Sequence, residues 1–232
     1  MSGQNINVGS LSSYARVAGW LYLVIIVCGI GSEVFIRSSL IVEGDAMATA
    51  SNILASDSLF RFGFVADSIM LLSDVAIAVL FYVLFKPVSN TLALMAAAFR
   101  LTQASILGFN LINYYAAALL LNGTVYVGGF EPAQLHALAS LFLDLHSHGY
   151  DLGLVFFGLS NLILGYLLIK SGYFPSWLGY GLIAAGVVYL AGSFVRFVLP
   201  DYSAVMEPVY LIPLIAELAF ALYLVVKGAG SR

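Results

Sequence analysis

The sequence contains few charged residues and a single cysteine. Charged side chains make up 9% of the 232 residues and hydrophobic residues 62%, whereas a soluble domain has roughly 25% charged residues. The excess of apolar surface therefore has to face lipid. The lone Cys28 excludes an internal disulfide framework and thiolate zinc clusters. The absence of a basic run argues against a nucleic-acid partner.

Long apolar runs predict an all-α membrane protein, a single bundle of six transmembrane helices spanning residues 1–232. A helix of about 20 apolar residues is enough to cross a hydrocarbon core of ~30 Å. Short extra helices are expected on the outer face, one of them over Met47–Leu54 after a capping Asp45. The predicted spans are about 15–36, 59–85, 90–121, 148–169, 177–199 and 209–226.

The proline-free stretch from Pro132 to Lys170 is too long for one membrane span. A single helix of that length would measure close to ~58 Å at 1.5 Å per residue. We therefore expect an outer segment, from Ala133 to about Asp144, followed by a membrane segment that starts near His148. Gly149 is the predicted joint between the two.

The positions of lysine and arginine predict the orientation in the membrane. Cytoplasmic ends of spans carry an excess of these residues. On one side they are Arg16, Lys86, Lys170, Lys227 and Arg232, while the opposite connections carry Glu43, Asp45, Glu131, Asp201 and Glu207. We therefore expect both termini to be cytoplasmic.

Polar side chains within the predicted spans lie from the midplane outward, and the inner half is apolar. Buried ionisable groups in a membrane are costly and indicate function by default. The pattern predicts a polar pocket, open to the outside, that binds or transports a small molecule or lipid. Its unpaired carboxylates could carry protons. The predicted ligand-binding residues are Glu33, Asp67, Asp74, Arg100, Gln103, Asn110, Asn113, His148, Asp151 and Glu217.

Plainer interpretations remain open for parts of this set. Asp74 and Arg100 could form a structural ion pair between the second and third spans, because buried charges must be matched. Glu33 and Arg37, four residues apart, suit a local helix pair. A purely structural or regulatory membrane protein would explain the spans but not the asymmetric charge.

A cluster of histidines and carboxylates precedes the fourth span and suggests a metal-dependent alternative. Asp144, His148 and Asp151 stand at i, i+4 and i+7, so they share one helical face. Imidazole and carboxylate ligands suit zinc, iron or manganese. Glu217 or Asp67 could complete the ligands of such a metal. A membrane-embedded hydrolase, with or without a metal, is therefore the second hypothesis, and without a metal His148 beside Asp144 or Asp151 would act as a general base. His146 points to a different side of the helix and is not expected to join the set.

Several short motifs resemble a family of small bacterial membrane proteins known as domain of unknown function 4386. The resemblance extends from about Ala15 to Val226. It implies a bacterial inner-membrane protein and brings no established activity. Glu33, Arg37, Arg100 and Asp151 lie inside the matching motifs. These are ARVAGWLYL (residues 15–23), GSEVFIR (31–37), FRL (99–101), GYDLGLVFFGL (149–159), GYL (165–167) and GYFP (172–175).

Overall fold

The computed structural model describes residues 8–123 and 128–230, and those residues form helices and no β-strand. A π-helical segment, Ser32–Arg37, joins the first two helices, and 3₁₀ turns, Pro200–Tyr202 and Glu207–Tyr210, flank the eighth. The helices are α1 (Val8–Gly31), α2 (Ser38–Leu40), α3 (Ala46–Ala55), α4 (Asp57–Phe85), α5 (Asn90–Leu121), α6 (Pro132–Ser171), α7 (Ser176–Val198), α8 (Ser203–Met206) and α9 (Leu211–Lys227).

Six helical segments are long and apolar enough to cross a membrane, which confirms the predicted all-α fold with six spans. Many large apolar side chains on them are exposed, as lipid-facing surfaces require. The chain is therefore an integral membrane protein. The six segments are Leu11–Leu40, Asp57–Phe85, Asn90–Leu121, Pro132–Ser171, Ser176–Val198 and Pro200–Lys227.

The predicted break near Gly149 is wrong, because α6 is one uninterrupted α-helix of 40 residues. At 1.5 Å per residue this helix is ~60 Å long, so it extends well beyond the hydrocarbon core. Gly149 serves packing and not bending. A Cβ at this position would overlap the side-chain amide of Asn110, which lies directly against the glycine backbone.

The short helix predicted around Met47–Leu54 is present as α3. The side chain of Asp45 accepts a hydrogen bond of 2.9 Å from the backbone N–H of Ala48, which caps the helix at its N-terminus. Further along the helix, Ile53 is fully buried in an apolar cluster that includes Phe60 and Tyr114. The capping residue and one apolar anchor therefore position this helix.

The chain divides into two compact units, and α1, α4, α5 and α6 contribute segments to both. Unit 1 comprises residues 1–24, 73–104 and 151–232, and unit 2 comprises residues 25–72 and 105–150. The terminal residue Arg232, which entered the orientation argument, lies outside the described residues. Each unit contains its own buried polar residues.

In unit 1, α6 and α7 approach each other through facing glycines. A Cβ on Gly165 would lie 2.6 Å from the carbonyl oxygen of Gly179, and a Cβ on Gly186 would lie 2.7 Å from that of Gly158. These two pairs fix an antiparallel register. Small residues at helix contacts in membranes let backbones come close enough for extensive van der Waals packing. The glycines therefore set the separation of the two helices.

Unit 2 is organised around a stacked aromatic pair from α4 and α5. The rings of Phe60 and Tyr114 are 4.1 Å apart and 8° from parallel. The hydroxyl of Tyr114 donates a hydrogen bond of 2.9 Å to the carbonyl oxygen of Phe60. A Cβ at Gly63 would collide with this hydroxyl. The glycine thus leaves room for the tyrosine that joins the helices.

Replacing Gly165 by alanine should destabilise the protein. The new methyl group would have to displace backbone and not a flexible side chain, so we expect a loss of about 1–3 kcal/mol. Gly31→Ala is the matched control, because nothing lies within 4 Å of a Cβ there. Thermal unfolding in detergent measures both. Equal melting temperatures for the two variants would contradict the glycine-contact interpretation.

Candidate functional site

The centre of unit 1 is a buried ion pair between α4 and α5. Nε and Nη2 of Arg100 lie 2.8 Å and 2.6 Å from the same oxygen, Oδ1, of Asp74. The other oxygen, Oδ2, accepts a hydrogen bond of 3.2 Å from Nε2 of Gln103. Arg100 is only 1% exposed. The predicted pairing of Asp74 with Arg100 is thus present, and Gln103 completes the coordination of the carboxylate.

Three aromatic rings surround the guanidinium of Arg100. Its Cζ lies 4.8 Å from the ring centroid of Phe157, 5.1 Å from that of Tyr22 and 5.8 Å from that of Phe81. Aromatic faces attract cations, and this attraction is larger where the cation is desolvated. The rings therefore help to hold a charge that has been removed from water.

The guanidinium has a further polar neighbour, the hydroxyl of Tyr22, with which it interacts by a side-chain hydrogen bond. Arg100 also lines a void of about 10 Å³ whose walls include Ala78, Ala96 and Ala97. Organic ligands occupy pockets of roughly 300–1,000 Å³. The space beside Arg100 is therefore far smaller than the pocket that a small molecule or lipid, the predicted ligand, would need.

A second carboxylate, Glu217 of α9, is buried in the same unit. Its Oε1 accepts a hydrogen bond of 2.8 Å from Nδ2 of Asn161, and it also interacts with the hydroxyl of Tyr189. Arg100 lies within electrostatic range. Among residues 8–123 and 128–230, however, the ion pairs do not include Glu217. Only neutral groups therefore hydrogen-bond this carboxylate.

Unit 2 contains a separate charged cluster at the π-helical segment. Arg37 donates from Nε to Glu33 and from Nη1 to Oδ2 of Asp67, both at 2.7 Å. Asp67 and Arg37 are buried, whereas the side chain of Glu33 is 63% exposed. The predicted Glu33–Arg37 pair is thus present, and Arg37 extends it to the buried carboxylate of Asp67.

His146, which the sequence analysis set aside, is the buried histidine of unit 2. Its Nδ1 lies 3.2 Å from the backbone oxygen of Asn110, and Nδ2 of Asn110 donates to the backbone oxygen of His146 at 2.7 Å. A carbonyl can only accept, so the network assigns the proton to Nδ1. Asn113 supports the arrangement by donating to Oδ1 of Asn110 at 3.0 Å.

The structure does not bring Asp144, His148 and Asp151 together as the ligands of one metal ion. Among the described residues, no three histidine, cysteine, aspartate or glutamate side chains are placed to hold a metal ion. Nδ1 of the exposed His148 bonds to the backbone oxygen of Asp144, 2.8 Å away and one helical turn earlier. Asp151 pairs with Arg196 at 2.9 Å. The structure therefore gives no support to the metal-dependent hydrolase.

The ten predicted ligand-binding residues fall into both units. Within each unit they belong to small groups that satisfy one another, such as Asp74 with Arg100. Three buried residues in these groups, Tyr22, Asn161 and His146, were not among the predicted ones. In unit 1 they are Asp74, Arg100, Gln103, Asp151 and Glu217, and in unit 2 they are Glu33, Asp67, Asn110, Asn113 and His148.

Comparison with known proteins identifies similar chains but no described activity. Residues 17–228 match the model of a family described as domain of unknown function (DUF4386). An uncharacterized protein from Archaeoglobus fulgidus is 29% identical over 167 residues, which cover 72% of this chain and 84% of that protein. No solved structure matches the chain.

The Asp74–Arg100 pair can be tested with a double-mutant cycle. Asp74→Leu alone strands a buried guanidinium, and breaking such a pair costs about 3–5 kcal/mol. Asp74→Leu combined with Arg100→Leu removes both charges and should recover most of that loss. Unfolding in detergent provides the measurement. If the double variant were no more stable than the single one, the two charges would not be energetically coupled.

Proposed function

Since this chain belongs to the family described as domain of unknown function (DUF4386), whose activity that description leaves open, we propose that it binds or transports a small solute in the membrane. In this proposal Glu217 is the proton-carrying group of the site. Asp74, Arg100, Gln103 and Asn161 complete it. The proposal concerns unit 1 alone.

The charge balance in unit 1 carries the proposal. Asp74 and Arg100 neutralise each other at 2.6 Å, which leaves Glu217 as one surplus carboxylate in the same buried region. An unmatched ionised carboxylate inside a membrane is expensive, and such groups mark proton and ion pathways. A proton or a bound cation removes the surplus charge. Proton binding at Glu217 is therefore the simplest chemistry that this arrangement supports.

The neighbours of Glu217 suit a group that changes its protonation state. Asn161 is fully buried and donates to Oε1. An ionised carboxylate only accepts hydrogen bonds, whereas a protonated one also donates. The side-chain oxygen of Asn161 has no partner among the described residues. An amide can therefore donate to the ionised form, and its oxygen can accept from the protonated form after reorientation.

Solute binding requires a change in the helices of unit 1. The void beside Arg100 has a volume of about 10 Å³, about enough for one water molecule. Larger solutes enter only when the surrounding helices separate. Protonation of Glu217 would weaken its attraction to Arg100, and this loss supplies an energetic reason for such a change. Proton binding at Glu217 and solute binding are therefore coupled, because both depend on the guanidinium of Arg100.

The proposed orientation places both termini in the cytoplasm. Arg16 lies at the start of the first span, and Lys86, Lys170 and Lys227 lie at the ends of the second, fourth and sixth spans. An even number of crossings separates these positions, so they lie on one side, and cytoplasmic ends carry an excess of lysine and arginine. A location in the cytoplasmic membrane is part of the same proposal. The site residues of unit 1 would then be approached from the outside.

Labelling with dicyclohexylcarbodiimide tests the proton-carrying role. This apolar reagent modifies protonated carboxyl groups within membranes, so we expect it to modify Glu217 in the purified protein. Labelling should decline as the pH is raised. Asp74, held by Arg100, is the internal control and should stay unmodified. Peptide mass spectrometry locates the adduct, and Glu217→Gln should remove it.

Two results would contradict the proposal. The first is a folded protein whose Glu217 resists the reagent at every pH tested. The second is equal labelling of Asp74 and Glu217, since the buried pair would then offer no discrimination. A structural or regulatory membrane protein predicts the first result, because a carboxylate that only holds helices together has no need to exchange a proton.

A further inference from the structure

We propose that protons reach Glu217 along a path of hydroxyl groups that begins at the Arg196 end of α7. The hydroxyls are those of Tyr210, Ser193 and Tyr189. This inference rests on the proposed function, because it assigns the proton-conducting residues of the same unit 1 site. A hydroxyl can accept one proton while it donates another, which is the property that a proton path requires.

One end of the path is the contact between Tyr189 and Glu217. The hydroxyl of Tyr189 and the carboxyl group of Glu217 interact by a side-chain hydrogen bond. The ring of Tyr189 packs against that of Phe157 in a T-shaped contact, with 5.2 Å between the centroids. This contact with α6 holds the tyrosine in place. Tyr189 can therefore pass a proton directly to the carboxylate.

The other end of the path lies at the ion pair of Asp151 and Arg196. Nε of Arg196 lies 2.9 Å from Oδ2 of Asp151, and the side chain of Arg196 is 36% exposed. Tyr210 interacts electrostatically with both charged groups. Its hydroxyl lies against the backbone of Gly192, where a Cβ would collide with it. The glycine thus places this hydroxyl one turn along α7 from the partly exposed ion pair.

Ser193 lies between the two ends on the same face of α7. It is three residues before Arg196 and four after Tyr189, and these spacings put the three side chains on one helical face. Ser193 is fully buried, and in the part of the chain that the structure describes its hydroxyl has no hydrogen-bond partner. Buried hydroxyls normally have a protein or water partner. Together with a bridging water molecule, Ser193 completes the path between Tyr210 and Tyr189.

Distances along the two helices show why intermediate groups are needed. Arg196 and Tyr189 are seven residues apart, and so are Tyr210 and Glu217, which gives ~10.5 Å along each helix. The ring centroids of Tyr189 and Tyr210 lie 6.0 Å apart. Proton transfer requires a donor and an acceptor within about 3 Å of each other. A proton therefore crosses this distance only in several short steps.

The path returns to its starting state after each transfer. Tyr189 gives its hydroxyl proton to the carboxylate of Glu217 and takes a proton from the group behind it. Each following group repeats this exchange until a proton is taken from solvent beside Arg196. One proton is thus added to Glu217 and one is removed from solvent. Other charged or titratable groups that act on Glu217 are Arg100, Asp74 and Tyr22.

Hydrogen–deuterium exchange of the Glu217 carboxyl proton tests the inference. The full chain is reconstituted in liposomes at acidic pH, and infrared spectroscopy follows the C=O stretch of the protonated carboxyl group after H₂O is replaced by D₂O. Glu217→Gln identifies the band by removing it. We expect Tyr189→Phe to slow the exchange at least about tenfold, equivalent to ~1.4 kcal/mol in the barrier, because phenylalanine lacks the hydroxyl.

Matched variants separate the path from a general loosening of the helices. Ser193→Ala should slow the exchange as well. Tyr180→Phe, at an exposed position of α7, is the control for the tyrosine. Ser160→Ala, which removes a buried serine that bonds to the carbonyl oxygen of Ala96, is the control for the serine. Both controls should exchange at the wild-type rate, and thermal unfolding verifies that each variant is folded.

The outcomes distinguish this inference from the proposed function. If the Glu217 band is present but Tyr189→Phe or Ser193→Ala exchanges at the wild-type rate, the path is wrong and the proton-carrying role stands. Equal slowing in the two control variants would mean that exchange depends on helix packing in general, and it would also overturn the path. If Glu217→Gln removes no band and the carbodiimide forms no adduct, the proposed function itself fails.

Discussion

The contact between Arg100 and Asp74 is the constraint on which unit 1 depends. A guanidinium that is 1% exposed can be kept in a membrane protein only if its charge is matched and its surroundings are polarisable. Asp74 supplies the charge, and three aromatic rings supply the surroundings. This pair also determines what Glu217 can do, because Arg100, the cation that acts on Glu217 among the described residues, is already paired with Asp74.

Unit 2 handles its buried charge differently. Arg37 connects a buried carboxylate, Asp67, to an exposed one, Glu33, so its cluster reaches the surface of the unit. The histidine of this unit, His146, interacts electrostatically with that cluster and packs against Tyr114 at a ring distance of 5.2 Å. The Asp74–Arg100 pair of unit 1 is, in contrast, almost completely enclosed. Each unit therefore solves the problem of buried charge with its own residues.

The sequence was sufficient to predict the membrane spans and the main ion pair. Apolar runs of adequate length define the helices, and charges as rare as Asp74 and Arg100 stand out within them. Neutral partners such as Tyr22 and Asn161 do not, because aromatic and amide side chains occur in many spans without a special role. Gly149 was misinterpreted as a joint because a glycine that admits a neighbouring side chain has the same local sequence signal as one that bends a helix.

His146 illustrates what helical periodicity could still have provided. It continues the buried face of Ala139 and Leu143, at i+7 and i+3 from them. That apolar stripe would have identified His146 as the buried histidine, because His148 lies on the exposed side of the helix. The π-helical segment had no comparable signal, since Ser32–Arg37 reads as ordinary α-helix in the sequence.

That π-helical segment has a consequence for how a membrane helix can carry charge. Each π turn contains more residues than an α turn, so the side chains after Ser32 are rotated relative to the stripe established by α1. The lipid-facing surface of α1 can thus remain apolar up to Gly31 while Arg37 is directed towards Asp67. A local change in helical winding therefore lets one continuous span keep an apolar surface towards lipid and still direct a cationic side chain towards a buried carboxylate.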